Sequence, residues 1–254
     1  MTFYLRNPQI DALETDVVDR FDDDMVAMVY REFPVDAQLL GTAGLRPVIA
    51  HARRRARHHR LHTRGAVAGY LCLMMVLGGH FDTDPQLPWA AAALTLPRAG
   101  SSTTTIQRLL SRAVDHLALT CGPRGLEYIR VLRRVAATSW SDIVEQDPAP
   151  WLRALYPSKA NAIGPHGVAK LQCAGAAVAE RHQLTPAIGG MICAGAMLVL
   201  GAGCHHDPLH PWLAAALVRA DEPTPIAHTQ RLWAALRLAA ERGLEARIRV
   251  LRED

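Results

Sequence analysis

A short loop in the second half of the chain holds the side chains with the most obvious capacity for chemistry. It reads Cys204-His205-His206-Asp207, and His210 follows three residues later. Thiolate and imidazole groups are the ligands that zinc and related transition metals prefer. The loop predicts a metal site at His205, His206 and His210, and with it a metal-dependent enzyme as the alternative function. Against that site, adjacent histidines do not easily reach one ion, and the spacing matches no established zinc motif.

An Asp-Pro-x-x-Pro-Trp block occurs twice and is the most distinctive local pattern. Asp before Pro favours an Asx turn, in which the carboxylate accepts backbone N–H groups just ahead of it. The second Pro is suited to begin a helix, because the N–H that it lacks would have no partner within the helix. Paired catalytic carboxylates are the alternative, but both occurrences keep the whole block, which favours a structural role. The block comprises Asp84, Pro85, Pro88 and Trp89 in the first occurrence, and Asp207, Pro208, Pro211 and Trp212 in the second.

A strongly basic run extends from His51 to Arg64 and reads HARRRARHHRLHTR. Apolar residues at helical spacing precede and enter it, so it predicts a helix with a narrow apolar stripe and a basic remainder. Such a face is either simply solvated or docks on an acidic protein surface or on nucleic acid. Interleaved aromatic residues are missing, which favours a protein partner over nucleic acid. The predicted contact residues are Arg53, Arg54, Arg57, His58 and Arg60, with Phe81 and Asp82 of a following loop.

The chain lacks the motifs of the common enzyme classes. It contains no G-x-S-x-G, no G-x-x-x-x-G-K, no G-x-G-x-x-G after a strand and no H-E-x-x-H. No thiol lies in an obviously electropositive and exposed setting. The sequence therefore predicts a protein that is not an enzyme and that has no cofactor.

The chain contains an internal duplication. Residues 33–94 align without a gap on residues 156–217, 123 positions further on, and 19 of the 62 pairs are identical. Unrelated sequences would match at about one position in sixteen. A residue kept in both copies serves the fold, whereas a residue present in one copy is a better candidate for function. The helix does not itself require the charges of Arg53–Arg55, because the second copy has Ala-Ala-Val at 176–178.

The periodicity of apolar residues predicts helices throughout and no strand. The acidic residues Asp22–Asp24 are expected to form a solvated face of the first helix. Because the two copies repeat one plan, we expect an all-α fold of two tandem homologous helical units packed as a pseudo-twofold pair. The units are assigned to residues 1–143 and 144–254, with a connector near Ser139–Pro150.

Composition narrows the class of protein further. Half of the 254 residues are hydrophobic and 6% are aromatic, with a formal charge of +4. Five cysteines without a C-x-x-C motif indicate free thiols, and the N-terminus shows no secretory signal, so a cytoplasmic location is predicted. The uncharged run that ends at Cys204 contains a proline and five glycines, which favours a buried helix over a membrane span.

The progression from a helix ending REFP, through the basic helix, to YLCLMMVLGGHFDTDPQLPWAAAAL resembles a group of small bacterial accessory proteins encoded beside type VI secretion effector genes. The resemblance covers residues 21–94. The second copy lacks equivalents of Tyr70 and Phe81 and matches only through its Asp-Pro-x-x-Pro-Trp block. The resemblance implies an adaptor or chaperone for a secreted effector, or an immunity protein against one, and implies no catalytic residue.

These observations predict a non-enzymatic binding protein whose partner is another protein, with a secreted effector as the candidate. Contact is expected on the surfaces where the two copies differ, namely the basic helix and the loops before the two Asp-Pro-x-x-Pro-Trp blocks.

Overall fold

The computed structural model describes the backbone of residues 7–95, 101–218 and 224–253, and the side chains of residues 18–95, 101–218 and 224–250. Every regular element in those ranges is a helix, which confirms the predicted all-α class. The α-helices are α1 (Asn7–Glu32), α2 (Pro34–His58), α3 (Arg64–Leu77), α4 (Pro88–Thr95), α5 (Ser102–Cys121), α6 (Leu126–Ala137), α7 (Trp140–Val144), α8 (Pro148–Leu155), α9 (Pro157–Arg181), α10 (Pro186–Leu200), α11 (Pro211–Leu217) and α12 (Pro225–Glu253). Short 3₁₀ turns lie at Pro123–Gly125 and Cys204–His206.

Local sequence explains where many of these helices begin. Seven of the twelve, namely α2, α4, α8, α9, α10, α11 and α12, start at a proline, whose fixed φ suits the first helical position. Helix α3 starts after Thr63, whose side-chain oxygen accepts the N–H of Ala66 at 3.2 Å. Ser101 caps α5 in the same way through the N–H of Thr104. Such caps satisfy N–H groups that have no partner within the helix.

Helices in the two halves correspond at the offset seen in the sequence. Helix α9 begins and ends 123 residues after α2. Both are kinked at a glycine in the left-handed region, Gly41 at φ +64° and Gly164 at φ +68°. Helices α3 and α10 end at Gly78 and Gly201, with φ +99° and +102°. The backbone thus repeats its least common conformations at matched positions.

Two clusters of buried apolar side chains form the interior. The first draws on α1 to α5, from Met25 to Ala113, and the second runs from Val131 to Ala240. Helix α6 packs against α12, and its Val131 and Val135 belong to the second cluster. The predicted boundary at residue 143 therefore does not separate the two cores.

The segment predicted as a connector is helical. Helices α7 and α8 occupy most of Ser139–Pro150 and the residues after it, and Trp151 and Leu152 of α8 are buried in the second core. Helix α8 forms because it carries apolar residues at helical spacing that pack into this core.

No helix within the described ranges combines the length and apolar character that crossing a bilayer requires.

Candidate functional site

The two aspartates of the repeated block lie at the contact between the halves. The N–H of Gln86 donates to Asp84 Oδ1 at 2.8 Å, and the N–H of Leu209 donates to Asp207 Oδ1 at 2.9 Å. These are the local Asx-type contacts that the sequence predicts. The second oxygen of each carboxylate reaches the opposite half, which the sequence did not indicate.

These crossing hydrogen bonds are reciprocal. The N–H of Ala202 donates to Asp84 Oδ2 at 2.8 Å, and the N–H of Gly79 donates to Asp207 Oδ2 at 2.5 Å. Each donor follows the glycine that caps α3 or α10, and both aspartates are buried. Because both carboxylates are held by backbone groups, they are occupied in joining the halves and are poorly placed for catalysis.

The tryptophans of the block pack against the core of their own half. Trp89 lies against the first core, with its ring 5.9 Å from that of His116. Trp212 lies against the second core, with its ring 6.1 Å from that of His210. The four prolines flank these positions at the start of α4 and α11 and in the turns before them.

Gly78→Ala is expected to lower the free energy of unfolding by about 2 kcal/mol, measured by denaturant titration. A φ of +99° is strained for any residue with a Cβ, and that Cβ would lie 2.8 Å from the carbonyl oxygen of Leu200 in the other half. Gly65→Ala is the control, since its Cβ would meet nothing within 4 Å and Ala favours a helix by roughly 0.5–1 kcal/mol. Equal stability of the two variants would contradict the close approach.

Much of the basic charge on α2 and at the start of α3 is used inside the molecule. Arg46 pairs with Asp23 at 2.7 Å, Arg53 with Asp22 at 3.3 Å, and Arg64 with Asp24 at 2.7 Å. Asp22 is itself buried. The expectation of a solvated face is therefore wrong for Asp22, because α1 lies against the basic helix and the opposite charges meet. It is confirmed for Asp23 and Asp24, which are exposed.

A second group of basic side chains, at the C-terminal end of α2 and just after it, remains at the surface. Arg54, Arg57, His58 and Arg60 are exposed. Arg54 Nη2 lies 3.5 Å from His51 Nδ1, and none of the four has a carboxylate within 4 Å in the described part of the chain. Of the predicted contact residues, these four keep the exposure that a docking surface needs, whereas Arg53 is held by Asp22.

Phe81 and Asp82 are not at the surface, so their assignment to an exposed contact face is corrected. Phe81 is fully buried, with its ring 4.8 Å from that of Tyr70. The side chain of Asp82 is 0% exposed, and its Oδ2 accepts hydrogen bonds from Arg55 Nη2 at 2.5 Å and from His59 Nε2 at 2.6 Å. The loop turns inward because Asp82 neutralises the buried end of the basic helix.

The electrostatics of this buried polar cluster follow from its contacts. Burial alone would raise the pKa of Asp82, but hydrogen bonds from His59 and the charge of Arg55 outweigh it and lower that pKa to about 2. Burial and the neighbouring Asp82 raise the pKa of Tyr70. Asp82 is therefore an anion at every physiological pH, with Arg55 as its counter-ion.

The equivalent positions of the second half hold a different set of groups. Arg55, His59, Tyr70, Phe81 and Asp82 correspond to Val178, His182, Cys193, Cys204 and His205. Burial raises the pKa of the Cys193 thiol to about 12 and raises that of Cys204 further. These two buried thiols are inert neutral groups, since a nucleophilic cysteine needs a lowered pKa.

The predicted metal ligands are not brought together as a site. His205 and His206 lie side by side, with ring centroids 4.1 Å apart, and His206 is exposed. His210 points instead toward Trp212 and a separate cleft. In the part of the chain that the structure describes, no group of three or more His, Cys, Asp or Glu is arranged to hold a metal ion. Burial and the neighbouring His206 lower the pKa of His205 to about 4.

A large cleft lies between the two cores and was not foreseen from the sequence. It has a volume of about 1020 Å³ and draws its walls from both halves, with Met75 and Leu117 on one side and Trp151 and Trp233 on the other. Its rim includes exposed apolar side chains at Leu39, Val76 and Val114, the last 65% exposed. Ligand sites commonly measure about 300–1,000 Å³, so the cleft is large enough for a small molecule.

The polar groups of this cleft could have been noticed only by comparing the two copies. Lys159, which lines it, is one of only two lysines in the chain and replaces Asp36 of the first copy. His116 and Tyr128, from other parts of the sequence, line the same space. No local spacing links these residues, because separate helices bring them together.

Comparison with known proteins finds no matching family model, no matching curated protein and no matching solved structure.

Proposed function

We propose that the chain is a non-enzymatic binding protein built from two duplicated helical units packed as a pseudo-twofold pair. The matched kinks at Gly41 and Gly164 support the duplication, as do the matched backbone angles of Arg60 and Gln183, both at φ +55°. The reciprocal hydrogen bonds of Asp84 and Asp207 support the pairing, since a twofold contact uses the same patch on both units.

The observation that carries the binding role is the exposed basic group on α2, which exists in one unit only. Arg54, Arg57, His58 and Arg60 are exposed, and their equivalents are Ala177, Glu180, Arg181 and Gln183. In the second unit the helix forms and packs without the three arginines, although Arg181 keeps a basic group at the position of His58. We therefore assign them to contact with an acidic surface of a partner protein, where arginine is a frequent anchor.

The nature of the partner is proposed from the resemblance to accessory proteins of type VI secretion. A secreted effector, or a toxin to be held inactive, would present the acidic surface. Both roles, adaptor or chaperone and immunity protein, need binding without catalysis. All five cysteines are free thiols, which suits the reducing cytoplasm.

The triple variant Arg54→Glu, Arg57→Glu, Arg60→Glu is expected to lose at least tenfold in affinity for the partner. Each reversal replaces attraction to an acidic surface by repulsion. The experiment is co-purification from the native host, identification of the captured protein by mass spectrometry, and titration of the purified pair by isothermal calorimetry at two salt concentrations. The wild-type affinity should fall as salt screens the charges.

The matched control reverses Arg108, Arg112 and Arg133, three exposed arginines on α5 and α6. It changes the net charge equally and should keep the partner. Thermal unfolding midpoints of both variants should stay close to that of the wild type, because the substituted groups are exposed. A partner held equally well by both variants would remove the α2 face from the proposal.

A further inference from the structure

The cleft between the two cores has walls suited to an apolar chain. Trp151 and Trp233 meet edge to face at 6.3 Å on one wall, and Val199, Leu200 and Leu117 line the space. Its exposed apolar rim leaves Val76 40% accessible to solvent. Covering such walls with an apolar ligand would contribute about 25 cal/mol for each Å² removed from water.

The charged side chains that line the cleft are unbalanced. They comprise one carboxylate, Asp36, and four cations, Arg124, Lys159, Arg242 and Arg247. The carboxylate is already neutralised, since Arg247 Nη2 lies 2.8 Å from Asp36 Oδ1. Among the described residues the other three cations have no carboxylate within 4 Å, and Arg124 and Arg242 are exposed. The cleft therefore favours a negatively charged ligand.

Lys159 is the cation that lies deepest in this arrangement. It sits in the first turn of α9, with its ammonium 5.9 Å from the ring of Tyr156. Among the described residues no carboxylate lies within 4 Å of Lys159 Nζ, and the nearby Asp84 is held by backbone N–H groups. His116 lies close enough for the lysine charge to lower its pKa, in addition to burial.

The alignment of the two copies places Lys159 at the position of Asp36. Asp36 forms an ion pair with Arg247. At the equivalent position of the second copy the carboxylate is replaced by a cation, and that cation also lines the cleft.

We propose that this cleft binds a single-chain amphiphile with a carboxylate head, a fatty acid, whose head contacts Lys159 and whose chain lies along the wall formed by Trp151 and Trp233. Lys159 is half-buried. A charge withdrawn from water without a partner is costly, and this burial lowers the pKa of Lys159. A ligand carboxylate would supply the missing anion and form a charge-assisted hydrogen bond with the ammonium. This site is separate from the α2 surface.

The test uses the full-length protein and dodecanoate, held below the concentration at which it forms micelles, with binding measured by isothermal calorimetry. Three matched ligands separate the contributions of the chain and of the carboxylate to the affinity. They are 1-dodecanol for the chain alone, acetate for the head alone and dodecyltrimethylammonium for a reversed charge. We expect dodecanoate to bind at least tenfold more tightly than each of the three.

Variants locate the two parts of the site. Lys159→Met keeps the length and apolar stem of the side chain, and should weaken dodecanoate at least tenfold while leaving dodecanol unchanged. Val76→Trp should fill the rim and weaken both. Lys170→Met is the control, because Lys170 is exposed on the same helix and does not line the cleft. It should bind all ligands as the wild type does.

A measurement on the wild-type protein tests the site even if the variants fold poorly. Reductive methylation with ¹³C-formaldehyde labels the two lysines and the N-terminus, and the signals are assigned by the Lys159→Met and Lys170→Met proteins. Dodecanoate should shift the Lys159 signal and leave that of Lys170 in place. Absence of dodecanoate binding, equal binding of dodecyltrimethylammonium, or an unmoved Lys159 signal would each overturn the proposal. The triple α2 variant should bind dodecanoate normally, so failure here leaves the proposed protein-binding role intact.

Discussion

Asp207→Ala is expected to lower the free energy of unfolding by about 3–5 kcal/mol. Its carboxylate is buried and accepts the N–H of Gly79 at 2.5 Å and the N–H of Leu209 at 2.9 Å. A hydrogen bond to a charged group contributes roughly 1.5–3 kcal/mol, and removing the acceptor leaves two backbone donors without partners. Chemical denaturation followed by circular dichroism measures the change.

Asp84→Ala should cost a similar amount, because Asp84 makes the reciprocal contacts with Gln86 and Ala202. Asp147→Ala is the matched control. Asp147 caps α8 through the N–H of Ala149 but is exposed and contacts only its own turn. A lost cap of this kind costs about 1 kcal/mol. If Asp207→Ala cost no more than the control, the crossing hydrogen bond would not hold the halves together.

Asp82→Asn is expected to lower the free energy of unfolding by about 3 kcal/mol at pH 7. The substitution leaves Arg55 and His59 facing a neutral amide inside the first unit, and breaking a buried ion pair on one side is strongly destabilising. Asp24→Asn is the control, since its pair with Arg64 is exposed. An exposed pair contributes roughly 0–1 kcal/mol, so the control should unfold almost as the wild type does.

The cost of Asp82→Asn should depend on pH in a defined direction. The pKa of Asp82 is about 2 in the folded protein and about 3.9 in an unfolded chain. The folded state therefore gains stability from the ionised carboxylate above about pH 4, and loses it as the pH falls towards 2. Denaturation of both proteins at pH 7, 4 and 3 should show the difference shrinking only at the lowest pH. A difference that is constant over this range would contradict the ion pair.

The sequence showed that the buried cluster of Arg55, Tyr70 and Asp82 differs between the two copies, but it did not show that the cluster is buried. The change from Arg55, Tyr70 and Asp82 to Val178, Cys193 and His205 was visible as a difference between the copies. We expected such differences at the surface, but these three positions face the interior of their units. Residues that differ between the copies can therefore lie in the core as well as on a binding surface.

The polar residues of the cleft could not be predicted as a group from the sequence. Lys159 begins α9, His116 belongs to α5 and Arg247 belongs to α12. Their distances along the chain carry no periodic pattern, and each alone is an ordinary charged residue in a helix. Only the packing of α5, α9 and α12 places them around one space.

The sequence by itself determined the all-helical class, the starts of α4 and α11 at Pro88 and Pro211, and the local turns made by Asp84 and Asp207, because these depend on backbone geometry within a few residues. It also revealed the repeat at an offset of 123. Tertiary structure alone decided which arginines of α2 are paired, that Phe81 and Asp82 turn inward, and that a cleft with an unpaired lysine lies between the cores. Those outcomes depend on burial and on charges from distant helices, and the spacing of neighbouring residues predicts neither of them.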